Sequence, residues 1–283
     1  MPLTPVIPTT GVAGWSFLQR TLEQQTEVFN RSPDIALQLE YFEENIGAVE
    51  TLDDLMGDRR LLQVALGAFG LEEELDKGAF VRKMLEEGTE DSSAFAVRIN
   101  NSDYIDLVEF VGVDSEGGVS FSESDIATMK SQFQRQSFET EVGTVNDTMR
   151  LALNFEREIA DIAGQDLSEN AGWFRAIGSI PLRTVIEGAF NLPEEFSALD
   201  IDRQKEILSD NANKLFGEKT VDVFSDPENV QTMINRYLLR EQINSGPSAS
   251  TPGYAALSIL TNGSSSLSSS GIANLLLSTS YGV

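Results

Sequence analysis

Two stretches of this sequence are repeated later in the chain, in the same order and with similar chemistry. Residues 21–46 align with residues 137–162 without a gap, at an offset of 116. The clearest part of this match places the run Ala36-Leu37-Gln38-Leu39-Glu40 on Ala152-Leu153-Asn154-Phe155-Glu156. Self-similarity at a fixed offset is the sequence signature of a repeated structural unit.

A second block follows at an offset of 121. It places Gly67-Ala68-Phe69 on Gly188-Ala189-Phe190, and Glu73-Glu74 on Glu194-Glu195. Because the two blocks are collinear, we expect a duplicated helical unit in which residues 15–75 and 132–196 have the same helix order and superpose. Only two copies are visible, so the sequence predicts one pseudo-symmetric domain rather than a solenoid.

Helix start signals punctuate the body of the chain. Ser32-Pro33-Asp34 combines an N-cap, a proline at the first helical position and an acid in the first turn. Thr51-Leu52-Asp53-Asp54 resembles a capping box, and Ser122 begins what the pattern indicates is one long helix to about Ala163, bent near Gly143. Alternating strand patterns are scarce, so the sequence predicts an all-α, multi-helical fold.

Composition separates an arm, a body and a tail, and the internal repeat divides the body in two. We expect a disordered arm at residues 1–14, a first helical half at 15–121, a second helical half at 122–243, and a Ser/Gly-rich tail at 244–283. The tail is almost uncharged and is predicted to be mobile over residues 244–270. Two apolar islands in it, Leu257 with Ile259-Leu260 and Leu275-Leu276-Leu277, could dock either on the protein's own core or on a partner.

Two absences restrict the chemistry. The chain has no cysteine and no histidine, so it has no thiolate and lacks both the commonest general base near neutral pH and the commonest transition-metal ligands. Lys and Arg number 20 against 45 Asp and Glu, a net charge of −25, which disfavours nucleic acid and anionic membrane surfaces. No stretch is long and apolar enough for membrane insertion.

Three motifs have both a functional and a structural interpretation. The repeated Gly-Ala-Phe blocks could line a groove, but small residues that let helices approach closely are the simpler explanation. The segment from Asp114 to Glu123 imitates half of a calcium-binding loop, although its first ligand position is Gly112. Gly217-Glu218-Lys219-Thr220 resembles a phosphate-binding loop, but its glycine pattern is incomplete.

The sequence therefore assigns no catalytic residue, no cofactor-binding residue and no metal ligand, and it implies no cofactor. We expect a protein that is not an enzyme. The alternative is a small-ligand binder or an enzyme that uses only Asp, Glu, Arg, Lys and Tyr. A deep pocket with a buried Arg or Lys opposite carboxylates would favour this alternative, whereas an exposed apolar groove would favour an interaction protein.

A resemblance narrows the function. The resemblance lies in five segments: Tyr41-Phe42-Glu43-Glu44-Asn45-Ile46, Asp58-Arg59-Arg60-Leu61-Leu62, Val81-Arg82-Lys83-Met84-Leu85-Glu86-Glu87-Gly88, Phe95-Ala96 with Arg98, and the helix ending at Arg240. These segments resemble a bacterial family known as domain of unknown function 1217. The resemblance implies a multi-helical fold and an association with motility, because genes of this family commonly lie among flagellar genes. No ligand or catalytic residue is established for the family. The Ser-rich tail departs from its pattern.

From these observations we expect a non-enzymatic interaction or accessory protein associated with the flagellum, or alternatively an exported structural subunit of the flagellum. The expected partner is a protein, with no nucleic acid and no membrane insertion. We expect a cytoplasmic location, or export to the flagellum without a cleaved signal peptide. The oligomeric state is left open.

Overall fold

A computed structural model of the 283-residue chain describes residues 3–99, 101–165 and 167–245. The described residues form thirteen α-helices and four short 3-10 helices, with no strand among them, so the all-α prediction is confirmed. The α-helices are α1 Gly11–Asn30, α2 Pro33–Asn45, α3 Leu52–Gly57, α4 Arg59–Ala68, α5 Gly78–Glu87, α6 Phe95–Ile99, α7 Ser102–Val111, α8 Glu123–Val145, α9 Asp147–Ala163, α10 Glu169–Gly178, α11 Ile180–Phe190, α12 Ile201–Phe216 and α13 Pro227–Asn244. The 3-10 helices are Ile46–Ala48, Glu72–Glu74, Glu194–Ala198 and Val221–Ser225.

Side-chain caps explain where several helices begin. Thr51 and Asp54 form the predicted capping box at α3, and Ser122 and Asp125 form another at α8. In each box the hydroxyl accepts a bond from the third backbone N–H of the helix and the aspartate accepts one from the cap residue's own N–H. Ser32 stands at the N-cap of α2, but its buried hydroxyl makes no hydrogen bond there.

The helix predicted from Ser122 to about Ala163 is two helices. Asn146 interrupts it in an extended conformation (φ −157°, ψ 103°), and its side chain accepts a hydrogen bond from the backbone N–H of Met149 at 3.1 Å. Asn146 is thus the N-cap of α9, because asparagine competes well for a backbone donor. Gly143 is not the break: it lies inside α8, and a Cβ there would be 2.5 Å from Cδ of Arg150.

The arm predicted to be disordered over residues 1–14 is ordered where the structure describes it. Helix α1 already begins at Gly11, and Pro5 is buried. The backbone of Val6 is held by Gln25, which accepts from its N–H at 2.7 Å and donates to its carbonyl at 3.2 Å. Low charge and high proline content are typical of disorder, but here the contact with α1 holds the arm in place.

The helices pack around one continuous apolar core. Helix α4 packs against α2 and α8, α8 packs against α9, and α9 packs against α11. The largest fully buried side chains of this core include the aromatic residues Phe42, Phe133, Phe155, Trp173, Phe196 and Phe224. The described residues up to Arg240 form one compact unit, and residues 241–245 lie outside it. The predicted tail islands lie outside the described residues.

The helix boundaries agree with the two offsets found in the sequence. An offset of 121 carries residues 59–68 of α4 onto residues 180–189, which lie in α11. An offset of 116 carries residues 33–45 of α2 onto residues 149–161, which lie in α9. Superposition of the two halves in space stays a prediction.

Candidate functional site: a polar cavity

A cavity of about 570 Å³ lies among α7, α8, α9 and α10, at the end of α4. We call it the polar cavity. Five of its lining residues are carboxylates: Asp103, Asp106, Glu109, Glu158 and Asp161. Three are arginines: Arg135, Arg157 and Arg175. Its volume falls within the range of about 300–1,000 Å³ that is usual for small-molecule sites.

Arg157 on α9 is the centre of a buried ion-pair network. Its Nε donates to Oε1 of Glu139 at 3.0 Å and its Nη2 donates to Oε2 at 3.1 Å, a bidentate pair between α9 and α8. A further bond from Nη2 reaches Oε1 of Glu158 at 3.3 Å. Burial alone would lower the pKa of the Arg157 guanidinium, but the charges of Glu139 and Glu158 raise it by more than burial lowers it. Arg157 is therefore neutralised by the protein itself.

Glu158 is fixed from three sides. Besides Arg157, it accepts a hydrogen bond from Nδ2 of Asn154 at 2.6 Å and one from the hydroxyl of Ser179 at 3.1 Å. Burial raises its pKa, while Arg157, Asn154 and Ser179 act in the opposite direction. A carboxylate with this many donors is a rigid part of the wall.

Among the three partly buried carboxylates of the cavity, Asp103 is the one that receives no hydrogen bond from a described residue. It lies in the first turn of α7, where Asn101 caps the helix by accepting its backbone N–H at 2.8 Å. Its side chain is partly buried and accepts no hydrogen bond from any described residue. Burial, followed by the negative charges of Glu158 and Asp106, raises its pKa to about 7. Asp103 thus exchanges its proton near neutral pH, which is typical of functional carboxylates.

Two further arginines lie at the cavity. Arg175 on α10 forms an ion pair with Asp106 on α7 and donates to Oε1 of Gln165 at 2.9 Å. This pair links α10 to α7 across the cavity. Arg135 on α8 is exposed and has no ion-pair partner within the described part of the chain.

Of the motifs that the sequence singled out, the Gly67-Ala68-Phe69 block reaches the polar cavity, through Ala68 and Phe69, whereas its glycine has a structural role. A Cβ at Gly67 would meet the ring of Phe133 at 2.9 Å, and a Cβ at Gly188 would meet the ring of Tyr237 at 2.7 Å, so both glycines allow helices to approach closely. Oδ1 of Asp114 accepts the backbone N–H groups of Gly118 at 2.7 Å and Glu116 at 2.8 Å and so shapes a turn.

The remaining candidate, Gly217-Glu218-Lys219-Thr220, begins at a helix end. Gly217 ends α12 in the left-handed conformation (φ +87°), as a C-terminal glycine usually does. Among residues 3–99, 101–165 and 167–245, no group of three or more Asp and Glu side chains is placed to hold a metal ion. No described helix has the length and apolar character to cross a membrane.

The sequence did not indicate the polar cavity, although it held one usable signal. Glu158 follows Phe155 by three residues and precedes Ile162 by four, so it lies on the apolar stripe of α9. A charged residue on a buried helix face requires a partner. That partner, Arg157, is its neighbour in the sequence, and the shared Glu139 lies one helix earlier.

Comparisons with known proteins relate the chain to a protein family. A family model for proteins of unknown function, DUF1217, matches residues 68–230, more than half of the chain. The chain belongs to the DUF1217 family. Every residue that lines the polar cavity falls inside the match, whereas the first part of the resemblance, from Tyr41 to Leu62, falls outside it.

A solved structure of another protein has a similar fold over most of this chain. An X-ray crystal structure of a protein from Agrobacterium tumefaciens is similar to this chain with a TM-score of 0.68 and 27% sequence identity. The similarity covers 87% of this chain and 98% of the other. No curated protein matches the sequence. Neither the family description nor the solved structure names a ligand, a reaction or a partner.

Proposed function

We propose that this DUF1217 protein is a non-enzymatic binding protein and that the polar cavity is its recognition site. The observation that carries the proposal is Asp103, a partly buried carboxylate in a cavity wall whose hydrogen-bonding capacity is unused by the described residues. Because Asp103 is only partly buried, water in the cavity can meet its oxygens, and a ligand that donates hydrogen bonds would replace that water.

The other cavity residues suit a binding protein better than an enzyme. The chain has no cysteine or histidine, so Asp103 has neither of these as a catalytic partner. Arg157, which could otherwise stabilise a developing negative charge, is already paired with Glu139 and Glu158. The site thus holds charges in fixed positions, which suits recognition.

The identity of the partner comes from the resemblance. Because genes of this family commonly lie among flagellar genes, we propose that the partner is a protein of the bacterial motility apparatus. In this proposal the protein acts as an accessory factor, in the cytoplasm or after export to the flagellum. Its net charge of −25 supports a partner with a basic surface, since charge complementarity accelerates association.

Gene replacement in the bacterium that carries this protein tests the proposal. The strains are a deletion, a chain with Asp103→Asn, and a matched control with Asp222→Asn. Asp222 is exposed, lies outside the cavity lining and has no hydrogen bond or ion pair with the described residues. We expect the deletion and Asp103→Asn to impair swimming at unchanged protein levels, and Asp222→Asn to swim normally. A deletion strain that swims and assembles flagella normally would refute the motility link.

The second candidate is a small-ligand binder or enzyme, and the buried Arg157 opposite carboxylates favours it. In an enzyme, Asp103 with a pKa of about 7 could act as a general acid or base. Incubating the purified protein with the small-molecule extract of its own cells, and following NMR spectra over time, separates the classes. New signals that grow with the wild type but not with Asp103→Asn would indicate an enzyme, whereas shifts that are constant in time would indicate binding.

A further inference from the structure

We infer that the polar cavity recognises an organic cation with several N–H donors, a guanidinium or ammonium group, and that the Asp103 carboxylate anchors it. This inference deepens the proposed function by naming the chemical class of the ligand. It stands on three features of the cavity: its charge balance, the hydrogen-bonding character of its unsatisfied atoms, and its volume.

The charge balance is the first feature. Two of the three arginines are already neutralised inside the protein, Arg157 by Glu139 and Glu158, and Arg175 by Asp106. Three lining carboxylates form no ion pair with a described residue: Asp103, Glu109 and Asp161. Only the exposed Arg135 remains on the positive side. The unpaired charge of the cavity is therefore negative, which attracts a cation and repels an anion.

The unsatisfied polar atoms are the second feature. Oε1 of Gln132, on the cavity wall, is completely buried and has no hydrogen-bond partner among the described residues. The carboxylate of Asp103 likewise receives no donor. Both are acceptors, but Oε1 of Gln132 has almost no solvent-accessible surface. Asp103 is therefore the acceptor that a ligand in the cavity can reach, and such a ligand must supply donors. A guanidinium offers five N–H groups and an ammonium offers three.

The volume of about 570 Å³ is the third feature. It accommodates the end of an arginine or lysine side chain, or a small free amine, together with ordered water. A bare divalent ion is a poorer match, because the described residues include no group of three carboxylates placed for a metal. The same cationic chemistry can come from a polypeptide or from a metabolite, and the experiment below separates the two sources.

Titration calorimetry with matched probes tests the inference. The probes are N-acetyl-arginine amide and N-acetyl-citrulline amide, which have nearly the same shape but differ in charge and donors. We expect the arginine probe to bind at least about tenfold more tightly, because hydrogen bonds to charged groups are the strongest available in such a site. Asp103→Asn should reduce arginine binding to the citrulline level, while Asp222→Asn should leave it unchanged.

Two further measurements sharpen the result. Arginine affinity should increase from about pH 6 to about pH 8, because the pKa of Asp103 is about 7 and only its ionised form attracts the cation. The charges that face Asp103 and share in this titration are Glu158 and Asp106, which oppose ionisation, and Arg157, which favours it. Tighter binding of an internal-arginine peptide than of agmatine would identify a polypeptide source, and the reverse would identify a free amine.

Equal binding of the two probes, no binding of either at millimolar concentration, or unchanged arginine affinity in Asp103→Asn would overturn the inference. Circular dichroism of the variant confirms that lost affinity is not lost fold. The proposed function can fail separately. Arginine binding with normal motility in the Asp103→Asn strain would leave the ligand class standing and reject the motility role. Impaired motility without arginine binding would do the opposite.

Discussion

The glycines of the repeated Gly-Ala-Phe blocks provide a quantitative test of how the helices pack. In Gly67→Ala, the new methyl group on α4 would lie 2.9 Å from Cδ2 and Cε2 of Phe133 on α8. Phe133 is only 2% exposed, so its ring has no free space into which to move. In Gly188→Ala on α11, the methyl group would lie 2.7 Å from Cδ2 of Tyr237, which is also 2% exposed.

Two opposing contributions determine the magnitude. Alanine is favoured over glycine inside a helix by about 1 kcal/mol. Overpacking a well-filled core costs about 1–3 kcal/mol, and contacts shorter than 3 Å against a buried ring fall at the upper end of that range. We therefore expect Gly67→Ala and Gly188→Ala each to lower the free energy of unfolding by about 1–2 kcal/mol.

Gly57→Ala is the matched control. Gly57 is the last residue of α3, is exposed, and a Cβ there would meet nothing within 4 Å. Its replacement should be neutral or stabilising by up to about 1 kcal/mol. Chemical denaturation measures the free energy of unfolding of all three variants, and the m-value should stay unchanged.

A double variant, Gly67→Ala with Phe133→Leu, isolates the clash. The double variant should lose less free energy of unfolding than the sum of the losses of the two single variants, because leucine leaves room for the methyl group. If Gly67→Ala proved as stable as Gly57→Ala, the two helices would not be packed as closely as the structure shows, and the structural interpretation of the blocks would be wrong.

Three other predictions concern single side chains. Glu139→Leu removes both acceptors of the bidentate pair with Arg157, and chemical denaturation should show a loss of about 3 kcal/mol. Trp173→Phe should cost about 1–2 kcal/mol, because the buried indole donates to the Lys219 carbonyl at 2.7 Å and no donor replaces it; an unchanged stability would exclude that bond. Asp103→Asn should raise the melting temperature much more at about pH 8 than at about pH 4. The pKa of Asp103 rises from 3.8 to about 7 on folding, so the wild type loses stability as pH rises through this window, and asparagine has no proton to lose. Equal shifts at both pH values would contradict the assignment.

Local sequence signals predicted the helices well wherever a side chain bonds to the nearby backbone. The capping box at Thr51 and the start of α8 at Ser122 are of this kind, because donor and acceptor lie within three residues. The same locality explains the error at residues 122–163. Apolar spacing continues across Asn146, and only the extended backbone of that residue ends α8 and begins α9.

The polar cavity could not be predicted in this way, because its contacts join distant parts of the chain. Asp106 and Arg175 pair across 69 residues, and Arg157 and Glu139 pair across 18 on different helices. Their spacing along the sequence carries no period that relates them. The charge on the apolar stripe of α9 signals that Glu158 has a partner, but it does not place Asp103 in the same cavity.

Asp103 differs from the other buried charges in what it contributes to the fold. Glu139 and Arg157 satisfy one another, so their burial is compensated. Asp103 has no such compensation: its raised pKa means that its ionised form is less favourable in the folded protein than in the unfolded chain, so at neutral pH it opposes folding. A neutral asparagine of the same shape would be more favourable there. A residue whose replacement is expected to stabilise the protein, and which lines a cavity of ligand size, is the one we expect function to have retained.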